Sequence, residues 1–356
     1  MIQPVQSNYS KKYKQLSKYK CQEFHKSIEN IQQLLELIKI PNAINILRSQ
    51  YCVLPYYSKK SPDLVLLKAI NRTDLSKNVC QNIIIDTKTE SLVAYPLDKL
   101  IDISDQNIFD RDIQQIFDKI DGIFCFLYWY QNKWNLGTDS NPDGDTIIGF
   151  QKQTKQNRGE VALDQLFWEV FQEKDYSTEH LDTKYTYVFE LVVHNYVKII
   201  PYIDNNLYLI AVRNMNTIKE LNIMSREFDC FARPKIYRSL EEFKQIDQNT
   251  HEGCVIVTNN FDRFKIKTVE FIKKVYIFPS LRTAKRDVNI NLHLLKVIQE
   301  SKVSELSRYC PEYRDPIQMI RNSIDLFINN IKDIYDKIIE EKIDRKTFTS
   351  LIQKYN

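Results

Sequence analysis

The chain has 356 residues, enough to bury a large core, and one large plus one small domain is the natural partition. Hydrophobic residues make up 43%, yet no apolar run reaches the about eighteen residues that a membrane span needs, and Met1-Ile2-Gln3-Pro4 lacks an apolar signal region. A net charge of only +4 excludes a bulk nucleic-acid coater while leaving room for a local basic groove.

In chain order, residues 8–48 read as helix, with Ile28, Ile31, Leu34, Leu35 and Ile38 at three- and four-residue spacing. The cluster Lys11, Lys12, Lys14, Lys18 and Lys20 reads as a solvated helix face, or as a surface for nucleic acid. From about 63 to 275 strands dominate: Asn82 to Asp86, Ile123 to Tyr130, Tyr185 to Val193, Val197 to Tyr202, Leu207 to Val212, Cys254 to Thr258 and Phe264 to Lys267. Gln131-Asn132 and Asp204-Asn205-Asn206 read as hairpin turns. Beyond about 285 the pattern turns helical. Asp315-Pro316 is a start signal, and Ile317, Ile320, Ile324, Phe327, Ile331, Ile334 and Ile338 form one apolar stripe expected to pack on a neighbouring helix.

Seven cysteines (Cys21, Cys52, Cys80, Cys125, Cys230, Cys254 and Cys310) are scattered without CxxC spacing. That pattern predicts reduced thiols in a cytosolic or nuclear setting and argues against zinc. The five histidines show no metal-ligand spacing, and neither a P-loop nor a Rossmann glycine fingerprint is present. Tyr128, Trp129, Tyr130 and Trp134 are candidates for base stacking, although an alternating strand makes the core their default place.

Two short stretches carry chemistry. Lys119-Ile-Asp-Gly122 lies directly before the apolar strand Ile123 to Tyr130, which places an amine at a strand mouth beside a glycine that admits close approach. Glu252-Gly253-Cys254-Val255-Ile256 is followed by Lys265-Ile266-Lys267, so two of the six glycines fall in these stretches. A lysine attacks a nucleotide α-phosphate only as the neutral amine, so its site must lower a free pKa of about 10.4 through desolvation or nearby cations. Lys265 and Lys267 share one strand face and suit a triphosphate and its departing pyrophosphate. Glu190 ends the run Tyr185-Thr-Tyr-Val-Phe189, where a charge needs a partner, and Glu252 precedes a glycine and an apolar strand. A magnesium ion held by carboxylate and phosphate oxygens fits this set. The plain readings are a surface turn at Asp121-Gly122, an edge strand with wet lysines, and a structural ion pair at Glu190.

Together these residues resemble the covalent nucleotidyltransferase superfamily of RNA ligases, DNA ligases and capping enzymes. Its signature is Lys-x-Asp-Gly, a strand-borne Glu, Glu-Gly and Lys-x-Lys in this order, here Lys119 to Gly122, Phe189-Glu190, Glu252-Gly253 and Lys265 to Lys267. Phe189-Glu-Leu-Val192, Ile199-Ile-Pro-Tyr202, Leu207-Tyr-Leu209, Arg233-Pro-Lys-Ile-Tyr237 and Ser239-Leu-Glu-Glu242 are similar to the phage-type RNA ligase 1 branch. Glu305-Leu306 with Tyr309-Cys-Pro-Glu312 resembles the helical end of related ligases.

The resemblance implies an α+β protein. Residues 1–280 would form a nucleotidyltransferase (adenylation) domain of mainly antiparallel sheets with flanking helices and a helical N-terminal segment, and 281–356 a small all-helical C-terminal domain. It also implies ATP-dependent joining of RNA 5′-phosphate and 3′-hydroxyl ends with Mg2+. Lys119 would carry AMP, Asp121, Gly122 and Glu190 would sit at the nucleotide with Glu190 near its sugar, Glu252 would take the metal, and Lys265 and Lys267 the phosphates. Gln81-Asn82, Asp139 and Val197 stand where the branch has Arg-Gly and two basic residues, and Arg158-Gly159 is a candidate replacement. These departures weigh on phosphate and RNA-end binding more than on Lys119 chemistry. Two alternatives stay open: a degenerate ligase that binds RNA ends or a partner, and a capping-type guanylyltransferase, which the helical continuation disfavours because those enzymes carry an OB-fold there.

Overall fold

The computed structural model describes residues 27–69, 79–103, 112–149, 160–194, 199–277 and 290–341. By internal contacts the chain divides into two units: Met1–Ile246 with Cys254–Ile266, and Asp247–Gly253 with Lys267–Asn356.

In the first unit, α1 (Ile31–Leu37) begins where the Asn30 side chain accepts the Gln33 N–H at 2.9 Å. Pro41 and a left-handed Asn42 (φ 61°) separate it from α2 (Ala43–Tyr51). The helix expected over 8–48 is therefore two short helices across its described part, and the lysine cluster at 11–20 lies outside the described residues. Next, β1 (Val53–Tyr57), β2 (Leu64–Ala69), β3 (Gln81–Asp86) and β4 (Ser91–Ala94) form an antiparallel sheet in that order. Val65, Leu67, Ile83 and Ile85 pack with Leu34 and Leu47, while Leu64, Leu66 and Ile84 pack with Phe126 and Tyr128. Both faces are covered, which is why residues 64–67 of β2 are an unbroken apolar run rather than an alternation.

Further along come β5 (Ile101–Asp102), β6 (Ile113–Lys119), β7 (Ile123–Tyr130) and β8 (Lys133–Thr138). Gln131 and Asn132 both have positive φ (49° and 57°), the geometry of a tight two-residue hairpin, as expected at this turn. The short ladder β9 (Ile147–Gly149) with β10 (Glu160–Ala162) leads into α3 (Leu163–Glu173). This helix lies inside the region read as strands. Its buried Leu163, Leu166, Phe167, Val170 and Phe171 recur at helical spacing and cover one face of the next sheet.

That sheet adds β11 (Tyr185–Val192), β12 (Asn206–Asn214) and β13 (Glu220–Leu221) to β7 and β8, in the order β13-β12-β11-β7-β8. Cys125, Leu127, Tyr187 and Phe189 face α3, and Phe126, Tyr128 and Val188 face the first sheet, so period two sorts one run into two cores. Each such fully buried side chain contributes about 1.5–3 kcal/mol. Tyr128 is core, its hydroxyl donating to Pro142 O at 2.7 Å. No strand forms over residues 199–202, where one was expected, and 195–198 lie outside the described residues. A third sheet contains β14 (Ile236–Tyr237), then, beyond α4 (Leu240–Lys244), β15 (Gly253–Thr258) and β16 (Arg263–Lys267), ordered β14-β6-β15-β16-β5.

The second unit is helical: α5 (Val269–Tyr276), α6 (Ile290–Gln299), α7 (Val303–Tyr309) and α8 (Arg314–Glu341). Ile272, Ile277, Leu294, Val297, Leu306, Cys310 and Ile317 form its core. Among the described side chains of the α8 stripe, Ile317 and Ile334 are buried, whereas Phe327 and Ile331 are 60% and 50% exposed. Packing on a neighbouring helix thus holds for part of α8 only. Among the described residues no helix is long and apolar enough to cross a membrane. Among the described residues no cysteine is joined in a disulfide.

Candidate active site

Lys119 is the last residue of β6, and three residues carry the chain from it to β7. Asp121 pins this connection. Its Oδ2 accepts the N–H groups of Ile199 and Ile200 at 2.9 and 3.0 Å, and its own N–H donates to the Tyr202 hydroxyl at 2.9 Å. Gly122 lies against Glu190: a Cβ there would sit 2.9 Å from Glu190 Oε2 and 3.0 Å from Leu191 O. Only glycine lets the start of β7 come this close to β11, where Glu190 stands opposite Phe124.

Lys119 and Glu190 line one cavity of about 180 Å3 in the first unit. Its walls are mainly apolar, with Leu97, Leu100, Phe124, Ile210 and Val255, and its other polar members are Asp118 and Arg263. Asp118 accepts from the Tyr237 hydroxyl at 3.2 Å; burial, then the Asp118 charge, raises the Tyr237 pKa. Burial, followed by the Glu190 charge, pushes the Cys125 thiol well up.

Arg263 is buried and donates to Ile210 O at 3.0 Å and to Glu220. Glu220 also lies 3.7 Å from Arg213, which donates to Asp98 at 2.7 Å and to Ile218 O at 2.9 Å, and stacks over the Tyr95 ring at 4.0 Å. These contacts hold the 95–100 segment that supplies Leu97 and Leu100 to the cavity. Sequence reasoning missed Asp118, Arg263 and this network. Arg263 is two residues before Lys265 on the same strand face, so period two offered a signal for it. Nothing local marks Glu220 or Asp98 as its distant partners.

Lys265 stands opposite Asp102 across the parallel pair β16 and β5, with Nζ 3.8 Å from its carboxylate. Glu252 and Lys267 belong to the second unit, 3.9 Å apart. Among the described residues no group of three or more His, Cys, Asp or Glu could hold a metal. Glu252 is a single buried carboxylate, which fits a Mg2+ that takes its other ligands from phosphates and water.

The departures are placed as follows. Asn82 adopts φ 63° at a bulge opposite Lys68, a left-handed position where glycine is the usual residue. Asp139 pairs with Lys68 at 3.2 Å, and that ammonium also donates to Asp139 O at 2.7 Å. Val197 and Arg158-Gly159 lie outside the described residues.

No family model matches the chain. The RNA ligase of Rhodothermus phage RM378 is 21% identical over 265 residues, covering 64% of this chain and 58% of that protein. The chain therefore spans little more than half the length of this curated relative. Among solved structures, an archaeal ATP-dependent RNA ligase overlays at a TM-score of 0.45 with 11% identity, covering 83% of this chain and 82% of that one. A Naegleria gruberi RNA ligase mutant with ATP and Mn overlays at 0.36 with 14% identity, covering 57% and 62%. The chain is thus similar in sequence to a phage RNA ligase.

Proposed function

We propose that the chain is an ATP-dependent RNA ligase that joins RNA 5′-phosphate and 3′-hydroxyl ends through a lysyl-AMP intermediate on Lys119. The carrying observation is that Lys119 and Glu190, 71 positions apart by their numbers, line one largely apolar cavity. An apolar slot suits a purine, and Lys119 in its lining would attack the α-phosphate.

In the first step the Lys119 amine forms a P–N bond to the α-phosphorus, the bond to pyrophosphate breaks, and the amine loses a proton. The AMP then passes to an RNA 5′-phosphate, and a 3′-hydroxyl displaces it to leave a phosphodiester. Glu190 would hold the sugar, with Asp121 fixing the turn and Gly122 leaving room for Glu190. Lys265 and Lys267 would neutralise phosphate charge. Glu252 would hold Mg2+, which supplies charge stabilisation for the departing oxygens. We assign nucleotidyl transfer to residues 1–280 and a helical C-terminal domain to 281–356. An intracellular, reducing setting suits the scattered cysteines without CxxC spacing.

Incubation with α-labelled ATP and Mg2+, followed by a denaturing gel, tests this. Label that survives denaturation and is lost in Lys119→Ala is expected. Pyrophosphate pretreatment removes AMP already carried. Label from GTP alone would favour a capping-type enzyme, and none from either nucleotide would favour a degenerate RNA-binding module.

A further inference from the structure

In the second unit, the ammonium of Lys267 is 2.8 Å from Glu305 Oε1 and 3.9 Å from Glu252 Oε1. The Lys267, Glu305 and Glu252 side chains are 15%, 13% and 7% exposed, so the cluster is largely withdrawn from water. Glu305 is itself fixed, because the Tyr276 hydroxyl donates to its second oxygen. Tyr309, one turn further along α7, accepts the Lys267 backbone N–H on its hydroxyl at 2.9 Å. One face of α7 thus grips Lys267 at both main chain and side chain. The Phe271 ring lies 5.6 Å from the ammonium.

A lysine flanked by two carboxylates at unequal distance has one close counter-ion and one loose one. At 2.8 Å Glu305 makes the charge-assisted hydrogen bond, whereas Glu252 at 3.9 Å does not. Glu305 therefore sets where the ammonium sits, with Glu252 a second and looser ion-pair partner. We propose that Glu305 is a positioning residue for Lys267, through which the helical unit prepares that lysine for the phosphates of a nucleoside triphosphate. This deepens, and rests on, the ligase reading above. Glu305 lies outside the four signature motifs, 38 positions from Lys267.

The test is a double-mutant cycle on ATP affinity, measured by calorimetry with the full chain and with Lys119→Ala throughout so that no transfer occurs. Glu305→Gln keeps an acceptor for Tyr276 and removes the charge. Lys267→Met keeps the stem over Phe271 and removes the ammonium. Expected results are about tenfold weaker ATP binding for Glu305→Gln and little further loss when it is added to Lys267→Met. Glu305→Asp should recover part of the affinity, and melting curves check that each variant folds. Unchanged affinity in Glu305→Gln would overturn the proposal, as would equal losses in both backgrounds, which mark a merely structural role. Absence of ATP binding in the Lys119→Ala parent would overturn it together with the ligase reading. ATP binding that shows the coupling, in a wild-type protein that never labels, would retain Glu305 and remove only the transfer reading.

Discussion

Gly122 and Glu190 occupy each other's space: a single Cβ on residue 122 would come within 2.9 Å of the Glu190 carboxylate and 3.0 Å of the Leu191 carbonyl. The glycine of the Lys-x-Asp-Gly series is thus explained by the strand-borne glutamate of the next motif. Gly122→Ala is expected to push Glu190 off its position, cost about 1–3 kcal/mol of stability and reduce lysyl-AMP formation more than tenfold. Labelling rates and denaturant titration of the same preparation check both halves. Full activity in Gly122→Ala would show that the close approach has no catalytic consequence.

Asp121 works through its backbone partners. Asp121→Ala strips acceptors from the N–H groups of Ile199 and Ile200, and is expected to cost about 1–3 kcal/mol. Tyr202→Phe removes only the hydroxyl that accepts the Asp121 N–H and should cost less. Chemical denaturation orders the two, and faster hydrogen exchange at residues 199 and 200 should appear in Asp121→Ala alone.

Arg263 and Glu220 are buried together, with side chains 5% and 2% exposed. Removing Arg263 leaves the buried Glu220 carboxylate, among the described residues, with only the looser Arg213 contact at 3.7 Å. Arg263→Ala should therefore destabilise the first unit by about 3–5 kcal/mol, whereas losing the surface Lys59 ammonium that pairs with Asp145 should have far less effect. Urea unfolding of Arg263→Ala and Lys59→Ala makes the comparison.

Asp86 supplies a pH dependence. Burial alone would raise its pKa, but the Thr89 N–H, the Tyr130 hydroxyl and the Lys88 N–H outweigh it and hold the carboxyl below its ordinary value. A depressed folded pKa means that this stabilisation is fully present above the unfolded value of about 3.9 and is lost as pH falls through the lower folded value. Asp86→Asn should be less stable than the parent at pH 7, and the gap should narrow below about pH 4. A gap that stays constant from pH 7 to 3 would refute the assignment.

Much of the local structure follows from periodicity alone. Ile123 to Tyr130 reads as a strand because eight apolar residues run to a turn, and that strand is β7. Asp315-Pro316 marks the first turn of α8, where a missing N–H costs nothing. Leu163–Glu173 had the helical spacing of buried residues, but surrounding β-branched and aromatic runs masked it.

The residue types of the proposed site stand out in the sequence for a chemical reason. Nucleotidyl transfer needs an amine, carboxylates and phosphate-neutralising cations, and few residues can supply them. Tertiary structure alone decided what holds those groups. Asp121 answers to Ile199 and Ile200, Gly122 to Glu190, Lys265 to Asp102 and Lys267 to Glu305. Each partner is distant along the chain and ordinary in composition. A carboxylate or backbone N–H carries no sequence mark of the cation or acceptor it will meet, because that meeting is set by strand order and helix packing rather than by local pattern.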